Sequence, residues 1–217
     1  MDTATNLAST QLAQPQRGYR FSADSVALAE FAQASPAEAV LDLGAGCGVI
    51  PILMCLRSPF RYAVGVEVES ELVSLARMNV AQFRLGDKIR ILQTDLRILS
   101  SDALSRIFPR SSSWVDVVTS NPPYWPANRG RLNPSSQKAA ARHEILLTLA
   151  ELLAAARRFL RPGGRFYLSH LESREKEIVD GLEQNSLKVV RVQRVAGIAG
   201  RLLFEAHLNE FHRAAFR

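Results

Sequence analysis

Residues 39–48 read AVLDLGAGCG, an apolar run that leads into three glycines at alternate positions, and this stretch decides the fold. Ala39–Leu43 has the length and composition of a buried strand. Val49–Arg57, directly after the glycines, is apolar enough to form a packed helix. A strand that enters a helix through a glycine loop is typical of a parallel sheet with crossover helices.

The same alternation continues outward from this unit. Six more strands are predicted: Tyr62–Glu67, Lys88–Gln93, Val115–Thr119, Arg165–Ser169, Lys188–Val195 and Leu202–Leu208. Further helices are predicted at Ser70–Phe83 with Ser70 as N-cap, at Arg142–Leu160 before the stop signal Arg161-Pro162-Gly163-Gly164, and at Glu172–Gln184. We therefore expect an α/β fold with a seven-stranded, mostly parallel sheet, a C-terminal antiparallel hairpin and helices on both faces. Residues 1–14 are expected to be a flexible tail and 15–217 a single domain.

Composition limits the classes of protein. The 27 lysines and arginines exceed the 21 acids, a net charge of +6 that suits a polyanionic partner or reflects a merely basic surface. No apolar run reaches the roughly 18 residues of a membrane span, and the N-terminus lacks the pattern of a secretory signal, so a cytoplasmic protein is expected. Cys47 and Cys55 give no disulfide framework, and no histidine has metal-ligand spacing with them, so we expect no metal.

The glycine loop predicts a ligand site. Gly44, Gly46 and Gly48 let backbone N–H groups approach a ligand at the N-terminus of the next helix. The dinucleotide pattern needs its third glycine one position later, where Val49 stands, which disfavours NAD.

Three acids stand at or near the ends of three successive predicted strands: Asp42, Glu67 and Asp95. A carboxylate at Glu67 can accept hydrogen bonds from both hydroxyls of a ribose. Asp95 is placed to accept from an adenine amino group. Any one of them could be a solvated strand-end residue, but all three together favour a nucleoside site.

The fourth strand ends in Asn121-Pro122-Pro123-Tyr124, the most specific signal in the chain. An exocyclic amino group is a poor nucleophile because its lone pair is delocalised. The Asn121 side-chain oxygen and the Pro122 carbonyl are two acceptors that can free that lone pair, and the prolines hold them rigidly. Tyr124 can stack on a planar substrate. The pattern predicts methylation of an amino nitrogen, without a strong general base.

LDLGAGCG, VEVE and NPPY resemble the amino-methyltransferases of the Rossmann-like, class I S-adenosylmethionine-dependent group. Three further segments resemble bacterial tRNA adenine-N6 methyltransferases, which modify an adenosine next to the anticodon of a valine tRNA. These segments are Gln14-Pro15 with Gly18–Ser25, Ala141–Glu144, and Leu160–Gly164.

The resemblance implies S-adenosylmethionine as cofactor, bound by Gly44, Gly46, Gly48 and Glu67. It implies Asp95 near the cofactor adenine and Phe21 and Asp24 near its methionine end. It also implies Asn121, Pro122 and Tyr124 at the target base.

A basic segment follows the tetrapeptide. Its side chains are expected to grip phosphates beside a flipped base, or else to form a mobile solvated loop: Arg129, Arg131, Lys138, Arg142 and His143. Trp125 either stacks on a base or packs. RNA, with tRNA favoured, is therefore the expected partner; the oligomeric state is not predicted.

Several alternatives stay open. An rRNA guanine-N2 methyltransferase uses a similar tetrapeptide. A protein glutamine-N5 methyltransferase would carry a helical domain before the glycine loop, where roughly 38 residues stand here. A DNA adenine enzyme would need a target-recognition insertion. A small-molecule methyltransferase, a non-catalytic RNA-binding module and an NAD-dependent oxidoreductase complete the set.

Overall fold

The structure is a computed structural model, which describes residues 11–16, 20–107, 114–122 and 147–209. The strands are β1 Ala39–Leu43, β2 Tyr62–Glu67, β3 Ile89–Gln93, β4 Val115–Ser120, β5 Leu160–Leu171, β6 Leu187–Arg194 and β7 Arg201–Leu208. The described helices are α1 Ala23–Phe31, α2 Val49–Arg57, α3 Ser70–Gln82, α4 Ser101–Ile107, α5 Leu149–Phe159 and α6 Glu175–Gln184, the last preceded by a 3-10 turn, Glu172–Arg174.

The strands form one sheet in the order β3-β2-β1-β4-β5-β7-β6. In this order the first five strands, from β3 to β5, pair in parallel, and β7 runs antiparallel between β5 and β6. This confirms the predicted seven-stranded, mostly parallel sheet with its C-terminal hairpin. The strand order reverses between β1 and β4, and in open α/β sheets ligands bind at the carboxyl ends beside such a reversal.

The two faces of the sheet bury separate apolar layers, because side chains alternate along each strand. Leu41 and Leu43 face the layer that includes residues of α4, α5 and α6. Val40 faces the layer that includes residues of α1, α2 and α3. Asp42 shares the second face by the same alternation. Helices therefore cover both faces, as predicted.

Two helices were not predicted. α1 is buried on nearly every side and so shows no amphipathic periodicity, which hides it from a pattern search. α4 follows β3 and contributes Leu104 to the core. Within the described residues, no helix is long and apolar enough to cross a bilayer.

Several predicted boundaries were wrong. Ser70 is not the N-cap of α3; Glu69 holds that position, without a side-chain cap. β5 begins at Leu160 rather than Arg165, because residues 161–164 continue the strand through an irregular register opposite Val115 and Val117. α5 ends at Phe159, close to the predicted stop, while residues 142–146 of its predicted start lie outside the described residues.

The last residues of the predicted N-terminal tail that the structure describes contact the fold. Leu12 is buried, and the Ala13 amide donates to Asn79 Oδ1 at 2.8 Å while Asn79 Nδ2 donates to the Ala13 carbonyl at 3.0 Å. Residues 11–13 thus pack on α3. Residues 1–10 lie outside the described residues.

Candidate active site

One pocket of about 710 Å³, its open mouth included, lies where the carboxyl ends of β1, β2, β3 and β4 meet. Its lining combines apolar walls with a few polar groups from the strand ends. The lining residues are Leu43, Gly44, Gly46, Val66, Glu67, Val68, Leu72, Thr94, Asp95, Leu96, Ser120, Asn121, Pro122 and Leu147.

The glycine loop forms the floor beside β1. The amides of Gly44 and Ala45 both donate to the Val66 carbonyl at 2.9 Å, which folds the loop onto the end of β2. Gly44 has φ +75°, and a Cβ there would meet nothing within 4 Å. Gly48 lies outside the lining; it has φ +82° as N-cap of α2, and a Cβ there would lie 3.4 Å from Ala76 Cβ. Gly44 and Gly46 therefore line the pocket, and Gly48 serves the turn into α2.

Glu67 ends β2 and is buried. Its Oε2 accepts from the Gly46 amide at 2.9 Å. Its Oε1 accepts from the amides of Val68 at 2.8 Å and Glu69 at 3.0 Å. A carboxylate has about four acceptor positions. Three are occupied here, so the group is held in place with about one position left for a ligand hydroxyl.

Asp95 follows β3, the neighbour of β2, and also lines the pocket. Arg97 Nε donates to both of its carboxylate oxygens at 3.0 Å, and the Arg97 amide donates to Oδ1 at 2.9 Å. These bonds to Arg97 lower the pKa of Asp95. Sequence reasoning missed Arg97, although the Asp-x-Arg spacing after a strand end was a signal for it.

Asp42 does not line the pocket; it is fully buried beneath it, on β1. Thr119 Oγ1 donates to Asp42 Oδ1 at 2.7 Å across the β1–β4 pair. Asp42 Oδ2 is buried and has no hydrogen-bond partner among the described residues. Burial, with a smaller contribution from the negative charge of Glu67, raises the pKa of Asp42 to about 7, against the opposing Thr119 hydrogen bond.

Asn121 directly follows β4 and is buried at the pocket wall. Its Nδ2 donates to Ser25 Oγ on α1 at 2.7 Å. The neighbouring Ser120 Oγ donates to the Leu43 carbonyl at 2.7 Å, which ties the end of β4 to the end of β1. Pro122 lines the same pocket. The structure thus brings Asn121 and Pro122 together with Glu67 and Asp95 in the lining of one pocket.

Two further residues expected near the cofactor, Asp24 and Phe21, are on or just before α1. Asp24 is buried on α1, where its Oδ2 accepts from Arg201 Nε at 2.9 Å. Phe21 is partly buried against the core layer shared by α1, α2 and α3. Neither is among the lining residues.

The other predicted site residues lie outside the described residues: Pro123, Tyr124, Trp125, Arg129, Arg131, Lys138, Arg142 and His143. Sequence reasoning also missed Ser25 at Asn121 and the pocket residues Leu72, Thr94 and Leu147. Among the described residues, no group of three or more His, Cys, Asp or Glu side chains is arranged to hold a metal.

A family model described as "Methyltransferase small domain" matches residues 20–196. A protein of Porphyromonas gingivalis named tRNA1(Val) (adenine(37)-N6)-methyltransferase is 32% identical over 163 residues, 73% of this chain and 61% of that protein. A protein of the same name from Parabacteroides distasonis is 27% identical over 84% of this chain and 74% of its own length.

Solved structures share the fold. TrmN from Thermus thermophilus has a TM-score of 0.59 at 23% identity, over 85% of this chain and 48% of that one. A precorrin-6Y C5,15-methyltransferase from Geobacter metallireducens has a TM-score of 0.61 at 13% identity, over 93% and 96%. At these identities the likeness concerns the fold alone.

Proposed function

Because this chain belongs to the methyltransferase small domain family, we propose that it is an S-adenosylmethionine-dependent methyltransferase acting on the exocyclic N6 amino group of an adenine in tRNA. The observation that carries this proposal is the buried Asn121 amide. It lies at the carboxyl end of β4, in the wall of the pocket that Glu67 and the glycine loop also line.

The pocket fits the nucleoside part of the cofactor. The fixed Glu67 carboxylate keeps about one acceptor position for a ribose hydroxyl. Leu72 and Leu96 supply apolar contacts for a purine, and Asp95 stands at the same wall for its amino group. At Gly44 the chain presents backbone with no side chain, and the space a Cβ would enter is open. When bound, S-adenosylmethionine supplies an electrophilic methyl group on a positively charged sulfonium.

The chain's own residues prepare the nucleophile. The Asn121 Oδ1 and the Pro122 carbonyl accept hydrogen bonds from the two N–H groups of the target amine. These bonds draw the nitrogen lone pair out of the ring system. Preorganised dipoles of this kind also stabilise the positive charge that develops on the nitrogen. Rigid placement reduces the entropic part of the barrier.

Adenine in tRNA is favoured over other amines by two observations. The curated relatives that match over most of this chain carry the name of a tRNA adenine-N6 methyltransferase. The chain also has a net charge of +6, which suits a phosphate backbone. An adenosine in a loop needs little unstacking before it enters the pocket.

The experiment is methylation in vitro with a deuterated methyl donor. Unmodified tRNA transcripts are incubated with the protein and CD3-labelled S-adenosylmethionine, digested to nucleosides and analysed by mass spectrometry. We expect labelled N6-methyladenosine, and its loss when the adenosine next to the anticodon is replaced by guanosine. Labelled N2-methylguanosine from rRNA, or label in protein alone, would exclude the tRNA adenine assignment.

Asn121→Ala is the matched active-site variant. We expect it to reduce turnover roughly 100-fold or more, as for loss of one preorganised hydrogen-bonding group, while the dissociation constant for S-adenosylhomocysteine stays within about twofold. RNA binding should weaken steeply with salt. Turnover unchanged in Asn121→Ala would exclude the proposed role of the amide.

A further inference from the structure

The candidate catalytic amide is hydrogen-bonded to α1. Ser25 and Asn121 are 96 positions apart, both are buried, and Ser25 Oγ accepts from Asn121 Nδ2 at 2.7 Å. Ser25 is not among the residues that line the pocket. The hydroxyl therefore contacts the amide from behind, on the side away from the ligand space.

We propose that Ser25 is a positioning residue that holds the Asn121 amide in the orientation seen in the structure, an inference that rests on the proposed function. The terminal torsion of an asparagine is broad and has two nearly equivalent orientations, so the side chain does not fix its own direction. A serine hydroxyl can accept from the amide nitrogen or donate to the amide oxygen, so the bond to Ser25 fixes the plane of the amide. In the structure Nδ2 faces Ser25, and Oδ1 is therefore directed away from α1. In the reversed orientation, the amide would present N–H donors to the amino group, which cannot free its lone pair.

The backbone at Asn121 is already fixed, so the side-chain torsion is the variable that Ser25 controls. β4 pairs with β1 through Thr119 and Asp42. Ser120 Oγ then ties the last residue of β4 to the Leu43 carbonyl at 2.7 Å. The strand pairing places the Asn121 α-carbon, and the contact from α1 directs the amide.

α1 is anchored at both ends, which a positioning role requires. In its first turn, buried Asp24 pairs with Arg201 at the start of β7 at 2.9 Å. At and just beyond its C-terminal end, three arginines from separate elements donate to backbone carbonyls: Arg57 to Glu30 and Ala32, Arg191 to Phe31, and Arg165 to Gln33. Ser25 is therefore carried by a helix that α2, β5, β6 and β7 all hold in place.

The test is a double-mutant cycle on methyl transfer. Ser25→Ala removes the acceptor while leaving a small side chain in the same buried space. We expect kcat to fall 10- to 100-fold, with KM for tRNA and the dissociation constant for S-adenosylhomocysteine within twofold. In an Asn121→Ala background, Ser25→Ala should cause no further loss, because the amide it orients is gone. Ser22→Ala is the control, and we expect it to leave kcat unchanged. Ser22 is the exposed N-cap residue of the same helix, and its side chain makes no capping hydrogen bond.

An NMR measurement gives a readout that needs no activity. In 15N-asparagine-labelled, ligand-free protein, the side-chain NH2 signal that disappears in Asn121→Asp belongs to Asn121. We expect its exchange with solvent to be at least tenfold slower than that of exposed asparagines, and to become fast in Ser25→Ala but not in Ser22→Ala.

The two proposals fail separately. A wild-type protein that methylates no adenosine would end the proposed function, while the NMR exchange would still decide whether Ser25 holds the amide. With an active wild type, the Ser25 proposal is overturned by additive losses in the cycle, by equal losses of kcat and cofactor affinity, or by Ser25→Ala with kcat within twofold of wild type.

Discussion

The amide of Gly46 donates a hydrogen bond to Oε2 of Glu67 at 2.9 Å, and this bond joins the glycine loop after β1 to the acid that ends β2. The two features were separate signals in the sequence, 21 positions apart. In the structure they are one unit, because the same carboxylate also accepts from the amides of Val68 and Glu69. We therefore expect a change at Glu67 to disturb both the proposed ligand contact and the shape of the loop.

Glu67→Ala should weaken binding of S-adenosylhomocysteine by about 1–3 kcal/mol, because a ribose hydroxyl of the ligand and three backbone amides of the protein lose their acceptor. Isothermal titration calorimetry measures the affinity, and thermal unfolding without ligand measures the effect on the loop. Glu71→Ala, at an exposed position in the first turn of α3, is the control. An unaltered dissociation constant in Glu67→Ala would contradict the assignment.

Gly65→Ala should destabilise the protein by about 1–3 kcal/mol through overpacking. A Cβ at Gly65 would lie 2.9 Å from both Ala45 Cβ and Ile91 Cδ1, so the glycine loop has to shift. We expect a lower midpoint of urea unfolding and weaker cofactor binding. Gly86→Ala is the matched control, since a Cβ there meets nothing within 4 Å. Equal urea midpoints for the two variants would show that the glycine loop shifts without loss of stability.

Asp42 should make the fold less stable as pH rises. Its pKa is about 7 in the folded protein against 3.8 as the ordinary value. Between these values the unfolded chain releases the proton and the folded chain keeps it, so the free energy of unfolding falls as pH rises from about 4 to about 7. Each unit of pKa difference corresponds to about 1.4 kcal/mol, so the free energy of unfolding falls by about 4 kcal/mol over this range.

Urea unfolding of wild type and Asp42→Asn from pH 4 to pH 8 measures this contribution. The asparagine keeps an oxygen for the Thr119 hydroxyl and does not titrate. Burial lowers the pKa of His170 from 6.5 to about 3. The contribution of His170 to the free energy of unfolding therefore rises as pH rises from about 3 to 6.5, opposite to that of Asp42. His170 is present in both proteins, so the difference between their pH profiles isolates Asp42. Parallel pH profiles for the two proteins would refute the prediction.

The Asp24–Arg201 pair should stabilise the placement of α1. Asp24 is buried and Arg201 is mostly so, and removing one member leaves the other charge without its partner. We expect Asp24→Asn to lower the free energy of unfolding by about 2–4 kcal/mol. Arg201→Met in the Asp24→Asn background should restore part of that loss, as measured by chemical unfolding. Strictly additive effects of the two substitutions would show that the ion pair is not what holds the helix.

Local patterns determined most of the architecture. The alternation of short apolar runs with helical segments predicted all seven strands, because buried parallel strands are recognisable without knowledge of their partners. The strand-end acids and the Asn-Pro-Pro turn predicted the pocket, because the carboxyl ends of parallel strands converge at one edge of a sheet. β5 started five residues earlier than predicted, since a Pro-Gly-Gly stretch is normally a turn and here continues a strand through a register shift.

By itself, then, the sequence determined the class of fold, the order of its elements and the edge of the sheet at which the pocket lies, because each depends on residues close together in the chain. Tertiary structure alone decided which groups complete that edge. Ser25 reaches Asn121 across 96 positions, Arg201 reaches Asp24 across 177, and Thr119 reaches Asp42 across 77. Such contacts carry no local signature, since a hydroxyl or a guanidinium acquires its partner only when the sheet order and helix packing bring distant segments together.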